Sequence, residues 1–381
     1  MNIIHKSFIW AHECKPFHRK QSKMEVKKVL HMTGGDGESS YSHICDFFMR
    51  TMSSMTEPLL EKAIQPIIQT DSTSNPLKLF TTADVGCGTG AAPFCFVSSV
   101  LDKVHRRCEE LNLATPETQI YMNDLPGNDF NLLFKELSSY SGRCFLMGAP
   151  GSFHSRLFPP RSLHLVHSCY ATHWLSQVPP GLYNEEGLPI LNKGNIYISP
   201  SSSVAVGKAY LSQFEQDFSW FLNCRAVEVV ANGCMILKLR GKASLDPLDE
   251  PFPTHVLSEA ISQLISEGLI DEEKVDSFNF PFYYAAQEEL QAIVEKEGSF
   301  LIEHIETVRM DVAMGIQDPW ERAVNYSGTV KSFTQSLISH HFGQQVSDKI
   351  YDRLAHVVFD KMTLELAQNP TVFMVLRRKA N

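Results

Sequence analysis

The side chains with chemistry to offer gather around one glycine-rich stretch, residues 80–90. β-prone residues lead into Asp84, and Gly86, Gly88 and Gly90 follow at alternate positions. Beyond them Phe94, Val97, Leu101, Val104, Cys108 and Leu111 recur at helical spacing. Strand, glycine turn and helix let bare backbone approach a cofactor, because glycine carries no Cβ. Gly86, Gly88 and Ala91 also satisfy the dinucleotide pattern G-x-G-x-x-G/A, so NAD and a plain structural turn both stay open. Asp84 favours another ligand. Its carboxylate would repel a pyrophosphate but attract the amino group of a methionyl cofactor, S-adenosylmethionine (SAM).

One unit further on, residues 119–125 read as a strand ending in Asp124. An acid at a strand tip can accept hydrogen bonds from both hydroxyls of a ribose, a device that NAD folds share. Helix capping is its plainer role. Upstream, a turn over residues 34–37 delivers Tyr41 to a helix carrying Phe47, Phe48, Met52 and Met55. That tyrosine can lie over a cofactor as a lid or simply pack in the core.

Positioning these groups calls for a sheet. Residues 144–149, 163–168 and 233–240 read as further strands alternating with helical runs, a doubly wound, mostly parallel α/β arrangement. Ligands of such sheets lie beyond the carboxyl ends of the strands. Residues 86–90, Asp124, Ser152 with Phe153, and residues 168–174 all fall there. Residues 181–230 and 250–370 read as a helical cap, and 300–304 with 372–376 as late strands in an edge hairpin.

Composition narrows the class. The 381 residues are 43% hydrophobic and 20% charged, ordinary for a globular chain long enough to bury a large core. A net charge of -9 argues against a nucleic-acid or anionic-membrane surface. No apolar run reaches the roughly 20 residues of a membrane span. Nine scattered cysteines with no C-x-x-C pair suggest neither a disulfide framework nor zinc, and a reducing, cytoplasmic setting is expected. Residues 1–23 read as a loose extension ahead of a second start at Met24, with a transit peptide as the other reading.

From Met24 onward the ordered blocks resemble those of the plant SABATH methyltransferases. These use SAM to methylate small carboxylates or, in one branch, purine-alkaloid ring nitrogens. The resemblance rests on residues 34–37 with Ser40 and Tyr41, on 84–87, on 123–125 with 128–131, and on 150–153 with 156–159. It rests also on 167–170 leading into 173–179, and on 192–194, 276–279 and 297–300. It implies an α/β, Rossmann-like SAM-dependent methyltransferase core over about 77–180, 231–242, 299–308 and 370–378. A helical cap over the acceptor site would take about 24–70, 181–230 and 250–370, all within one unit spanning 24–381.

Residue by residue, the resemblance implies SAM contacts at Tyr41, Cys87, Asp124, Leu125, Ser152, Phe153 and Cys169, with Asp84 in the same wall. Tyr170, His173 and Trp174 fall where the family positions its methyl acceptor, and no acid or base is expected. Tyr41 borders both ligands, while Phe48, Arg240 and Phe282 fall where acceptor discrimination is expected. Asn192, Asp276, Phe278 and Asn279 match positions at which a structural Mg²⁺ is sometimes assigned. A homodimer is the family's habit.

The chain departs from the family at Ile44 and Cys45, which replace an amide and a hydroxyl, and at Ala91 and Ala92, where a polar cofactor contact is lost. Phe48 stands where salicylate-type relatives carry a glutamine that holds a carboxylate; phenylalanine cannot donate a hydrogen bond. The wording of residues 210–214, 232–241 and 268–272 looks closest to caffeine and theobromine synthases. The expected reaction is therefore N-methylation of a xanthine such as theobromine, paraxanthine or 7-methylxanthine, giving S-adenosylhomocysteine (SAH). Carboxyl methylation of benzoate-, salicylate-, jasmonate- or loganate-like acids is the alternative, and a non-catalytic SAM-binding scaffold the third reading.

Overall fold

Leu79–Val85 (β1) is buried at every residue but the first, the mark of a strand covered on both faces. It lies in a sheet with Glu117–Asn123 (β2), Phe145–Gly148 (β3), Leu163–Cys169 (β4), Val229–Arg240 (β5), Phe300–Asp311 (β6) and Gln368–Arg378 (β7). The computed structural model describes residues 25–69, 77–184, 188–363 and 368–380. The extension expected over residues 1–23 lies outside the described residues.

The strand order is β3-β2-β1-β4-β5-β7-β6. Strands β3, β2, β1, β4 and β5 pair in parallel, whereas β7 runs antiparallel to β5 and to β6. The late strands do pair antiparallel, but they are no edge hairpin. β7 sits inside the sheet, and two long helices separate it from β6 in the chain. Strand order reverses between β1 and β4, which opens a crevice at their carboxyl ends.

The helices are Val26–Val29 (α1), Tyr41–Ile44 (α2), Asp46–Ile64 (α3), Ala91–Glu110 (α4), Phe130–Glu136 (α5) and Val204–Glu228 (α6). Phe252–Ser266 (α7), Glu272–Asp276 (α8), Gln287–Glu297 (α9), Pro319–Phe342 (α10) and Gln344–Lys361 (α11) follow. The single helix expected from Tyr41 is broken at Cys45, whose backbone (φ -91°, ψ 0°) leaves the helical region. The break turns Tyr41 toward the sheet while α3 packs Phe48, Met49 and Met52 into the core. No helix of the described residues is long and apolar enough to cross a membrane.

Candidate functional site

Each of the three glycines has its own reason. Gly86, Gly88 and Gly90 all sit at positive φ (71°, 60° and 85°). A Cβ at Gly86 would overlap the Ala171 methyl, and one at Gly90 would come within 2.6 Å of Ser42 Cβ. Only at Gly88 is there room, with the Tyr41 ring 3.8 Å away. Packing thus requires two of the glycines, and the third leaves backbone bare beside a cavity. That cavity, of about 1270 Å³, opens beyond the carboxyl ends of β1, β2 and β4.

The sequence-predicted cofactor residues meet there. Tyr41, Cys87, Asp124 and Leu125 line one side of the cavity, and Ser152, Phe153 and Cys169 another. Asp124 Oδ2 accepts the Gly88 N–H at 2.8 Å and Oδ1 accepts its neighbour Leu125 N–H at 2.7 Å, so it ties two turns together and caps no helix. Burial raises its carboxyl from 3.8 to about 6, against the pull of those two donors. The thiols of Cys87 and Cys169 are pushed up by burial, which keeps them protonated and poor nucleophiles.

Asp84 does not belong to this wall. It does not line the cavity; its Oδ1 accepts from Nδ1 of His167, 2.7 Å away, across the β1/β4 register, and Phe96 stacks on that imidazole at 4.5 Å. The carboxylate expected to draw in an amino group is instead consumed in a buried pair.

Phe153 is fixed from behind by α6. Arg225, wholly buried, donates to the carbonyls of Phe153 (3.2 Å) and Ser155 (2.8 Å) and from Nε to Glu228 (2.6 Å). The other Glu228 oxygen accepts the N–H groups of Leu157 (2.7 Å) and Phe158 (3.1 Å). Four bonds to backbone hold one loop.

At the inner end, Tyr170 and Trp174 reach the cavity, and Phe48, Arg240, His173 and Phe282 stand behind them. Tyr170 takes a left-handed backbone (φ 54°), rare for an aromatic residue, which aims its ring off the strand end. Its hydroxyl shares a 2.9 Å hydrogen bond with Thr371 of β7. Phe48 stacks on it at 5.7 Å, and the Arg240 guanidinium lies 4.8 Å from its ring centre. Trp174 packs edge-on against Phe282 at 5.3 Å and lies 5.8 Å from His173. His173 is buried with Nδ1 unpartnered; burial first and the charge of Arg240 second lower it to about 3, so it is a neutral ring.

The model of the SAM-dependent carboxyl methyltransferases matches residues 27–379. The chain belongs to that family. A probable methyltransferase of Camellia irrawadiensis is 46% identical over 365 residues, covering 93% of this chain and 99% of that one. A 3,7-dimethylxanthine N-methyltransferase of Camellia sinensis is 46% identical over 364 residues, covering 93% and 97%. Among solved structures, loganic acid methyltransferase with SAH superimposes with a TM-score of 0.83 at 31% identity, over 92% of this chain and 99% of that one.

As in the rest of this family, the methyl donor is SAM, and the residues present suit it. Asp124 offers a buried carboxyl for the ribose hydroxyls at the strand tip. Gly88 leaves open backbone, and Phe153 gives a flat face for a base.

A magnesium ion is not supported in the same way. Asn192 Oδ1 accepts from Ser202 (2.6 Å), Asn279 Oδ1 from the Asn192 amide (2.8 Å), and Asp276 Oδ1 from the Gly194 N–H (2.7 Å). Asn279 turns its NH₂ to Tyr183, and the Phe278 ring is packed against Phe280 and Phe342. These oxygens face protein donors, so the four residues staple loops together and do not form a cation cage.

Sequence reasoning did not reach Tyr284, which stacks on His173 at 6.3 Å, nor Thr371. Tyr284 lies two residues past Phe282 on an extended stretch, and period-2 alternation could have flagged it. Thr371 is reached only through its register with Arg240.

Proposed function

We propose that this methyltransferase transfers the methyl group of SAM to a ring nitrogen of a xanthine, as in theobromine or caffeine formation. The observation that carries the reading is Phe48. It puts an apolar ring, stacked on Tyr170, where a carboxylate holder would need a hydrogen-bond donor. The 46% identity to a 3,7-dimethylxanthine N-methyltransferase supports it.

SAM, when bound, supplies an electrophilic methyl on a sulfonium. The chain's task is alignment and exclusion of water, and fixing two reactants in this way is worth about 7–11 kcal/mol. Tyr170 is locked by Thr371 and Trp174 by Phe282, so the walls of the acceptor site are set before anything binds. Aromatic faces beside a sulfonium add about 0.5–2 kcal/mol of cation–π attraction. The Tyr170 hydroxyl, held protonated by burial and bonded to Thr371, and neutral His173 behind it shape the acceptor wall and remove no proton.

Ester formation on a small acid is the second reading, favoured by the unpaired charge of Arg240 and by the likeness to loganic acid methyltransferase. Incubation with labelled SAM and a panel of xanthines and aromatic acids decides between them. Base-stable label on a xanthine nitrogen is expected; base-labile methyl ester with no xanthine product overturns the reading. A homodimer, checked by sedimentation velocity, and a cytoplasmic setting, in keeping with scattered cysteines that form no C-x-x-C pair, are parts of the same proposal.

A further inference from the structure

Arg240 ends β5 and stands opposite Thr371 of β7. Its guanidinium carbon is 4.8 Å from the Tyr170 ring centre and 5.4 Å from that of Phe48. Nη1 is buried and meets no hydrogen-bond acceptor, and no carboxylate among the described residues pairs with the group. The titratable groups within reach of this charge come from every neighbouring element. They are Tyr41 on α2 and Cys45 beyond it, Cys169 and Tyr170 at the end of β4, His173 in the next loop, Tyr284 ahead of α9 and Tyr326 on α10. None can balance it. Burial keeps these hydroxyls and thiols protonated and the imidazole neutral.

Half-buried Arg240 thus keeps one enclosed N–H without an acceptor and a guanidinium without a counter-charge, which costs stability. Folds rarely leave one in that condition unless a ligand completes it. A negative charge beside Tyr170 and Phe48 would complete it.

We propose that the site takes its acceptor as the ring-nitrogen anion, with Arg240 as the counter-ion. This rests on the xanthine reading above and goes beyond it. A xanthine ring N–H gives its proton to solvent base before the site closes. The nitrogen lone pair then forms the N–C bond to the methyl, the C–S electron pair returns to sulfur, and anion plus sulfonium become two neutral products. No general base is needed, and neither the protonated Tyr170 nor His173, whose basicity burial lowers, is set up to act as one.

The test uses a complex that cannot turn over: the full chain saturated with SAH, titrated with 3,7-dimethylxanthine. Ionisation of the ring is read by ultraviolet difference spectra from pH 6 to 11. In the wild-type complex the bound ligand's ionisation should fall by at least about one pH unit from its free value, a tenfold preference for the anion. Arg240→Gln should abolish that shift while SAH binding stays unchanged and the melting temperature does not fall, and Arg240→Lys should restore part of it. A bound xanthine that titrates as it does free in water overturns the inference and leaves N-methylation standing. Failure of any xanthine to bind, with an aromatic carboxylate binding instead, overturns the xanthine reading and the inference with it. The wild-type titration decides even if a variant fails to fold.

Discussion

Asp124 can accept both ribose hydroxyls only as the carboxylate, yet burial holds its carboxyl up at about 6. SAH binding should therefore be flat above pH 6 and weaken as pH falls through it, approaching tenfold per unit. Isothermal calorimetry between pH 5 and 8 checks this. Asp124→Asn should cost about 1–3 kcal/mol of SAH affinity, the loss expected for a buried polar partner, and should flatten the profile. A profile that stays steep in the variant would assign the titration to another group. The signs for stability differ between residues. Asp124 has a raised folded value, so its contribution is full below 3.8 and lost as pH rises through about 6. His173 has a lowered one, so its contribution is full above 6.5 and lost as pH falls toward about 3.

At the level of elements, α6 does more than cap the sheet. Arg225 and Glu228, three residues apart on its last turn, face the interior and hold the loop that carries Phe153. Removing one partner of a buried ion pair typically costs about 3–5 kcal/mol, within the 5–15 kcal/mol by which domains are stable. Glu228→Gln should fold at low temperature, melt earlier, and raise KM for SAM about tenfold, since 1.4 kcal/mol of lost positioning is one decade. KM for the acceptor should hold, because Tyr170 and Trp174 are fixed by Thr371 and Phe282 instead. An equal rise in both KM values would mean a general loosening. The sequence hides this clasp: a charged pair at i,i+3 ordinarily reads as a solvated helix face. Strand tips were legible because Asp124, Ser152 and Phe153 end their own runs. The position of β7, and with it the Tyr170–Thr371 bond, was not, because pairing register depends on residues far apart in the chain. Asp84 was misplaced for the same reason, its partner His167 being set by the β1/β4 register.

Over the whole molecule, the cavity lies between parts of unequal stability. One wall is the parallel sheet with its buried strands; the other is built by α1, α2 and the chain between them, through Val26, Leu30, His31, Met32 and Tyr41. Helices of four residues cannot persist alone. Theirs is borrowed order, held to α10 by Thr33 N–H donating to the Ser332 carbonyl and His31 N–H to the Ser336 hydroxyl. Such a segment opens at far less than the global free energy. A ligand at about 100 times its Kd adds about 2.7 kcal/mol to the bound form, and local opening must then overcome that as well. Hydrogen exchange with SAH should accordingly slow most in residues 26–45 and little in β5 and β7, where paired strands already exchange only on deep unfolding. Asp124→Asn at the same SAH concentration should weaken the protection at that segment. Equal slowing across the chain would show that the segment already opens with the core. No slowing at 26–45 would show that the ligand leaves this wall untouched, and Tyr41 would then be a packing residue rather than a lid.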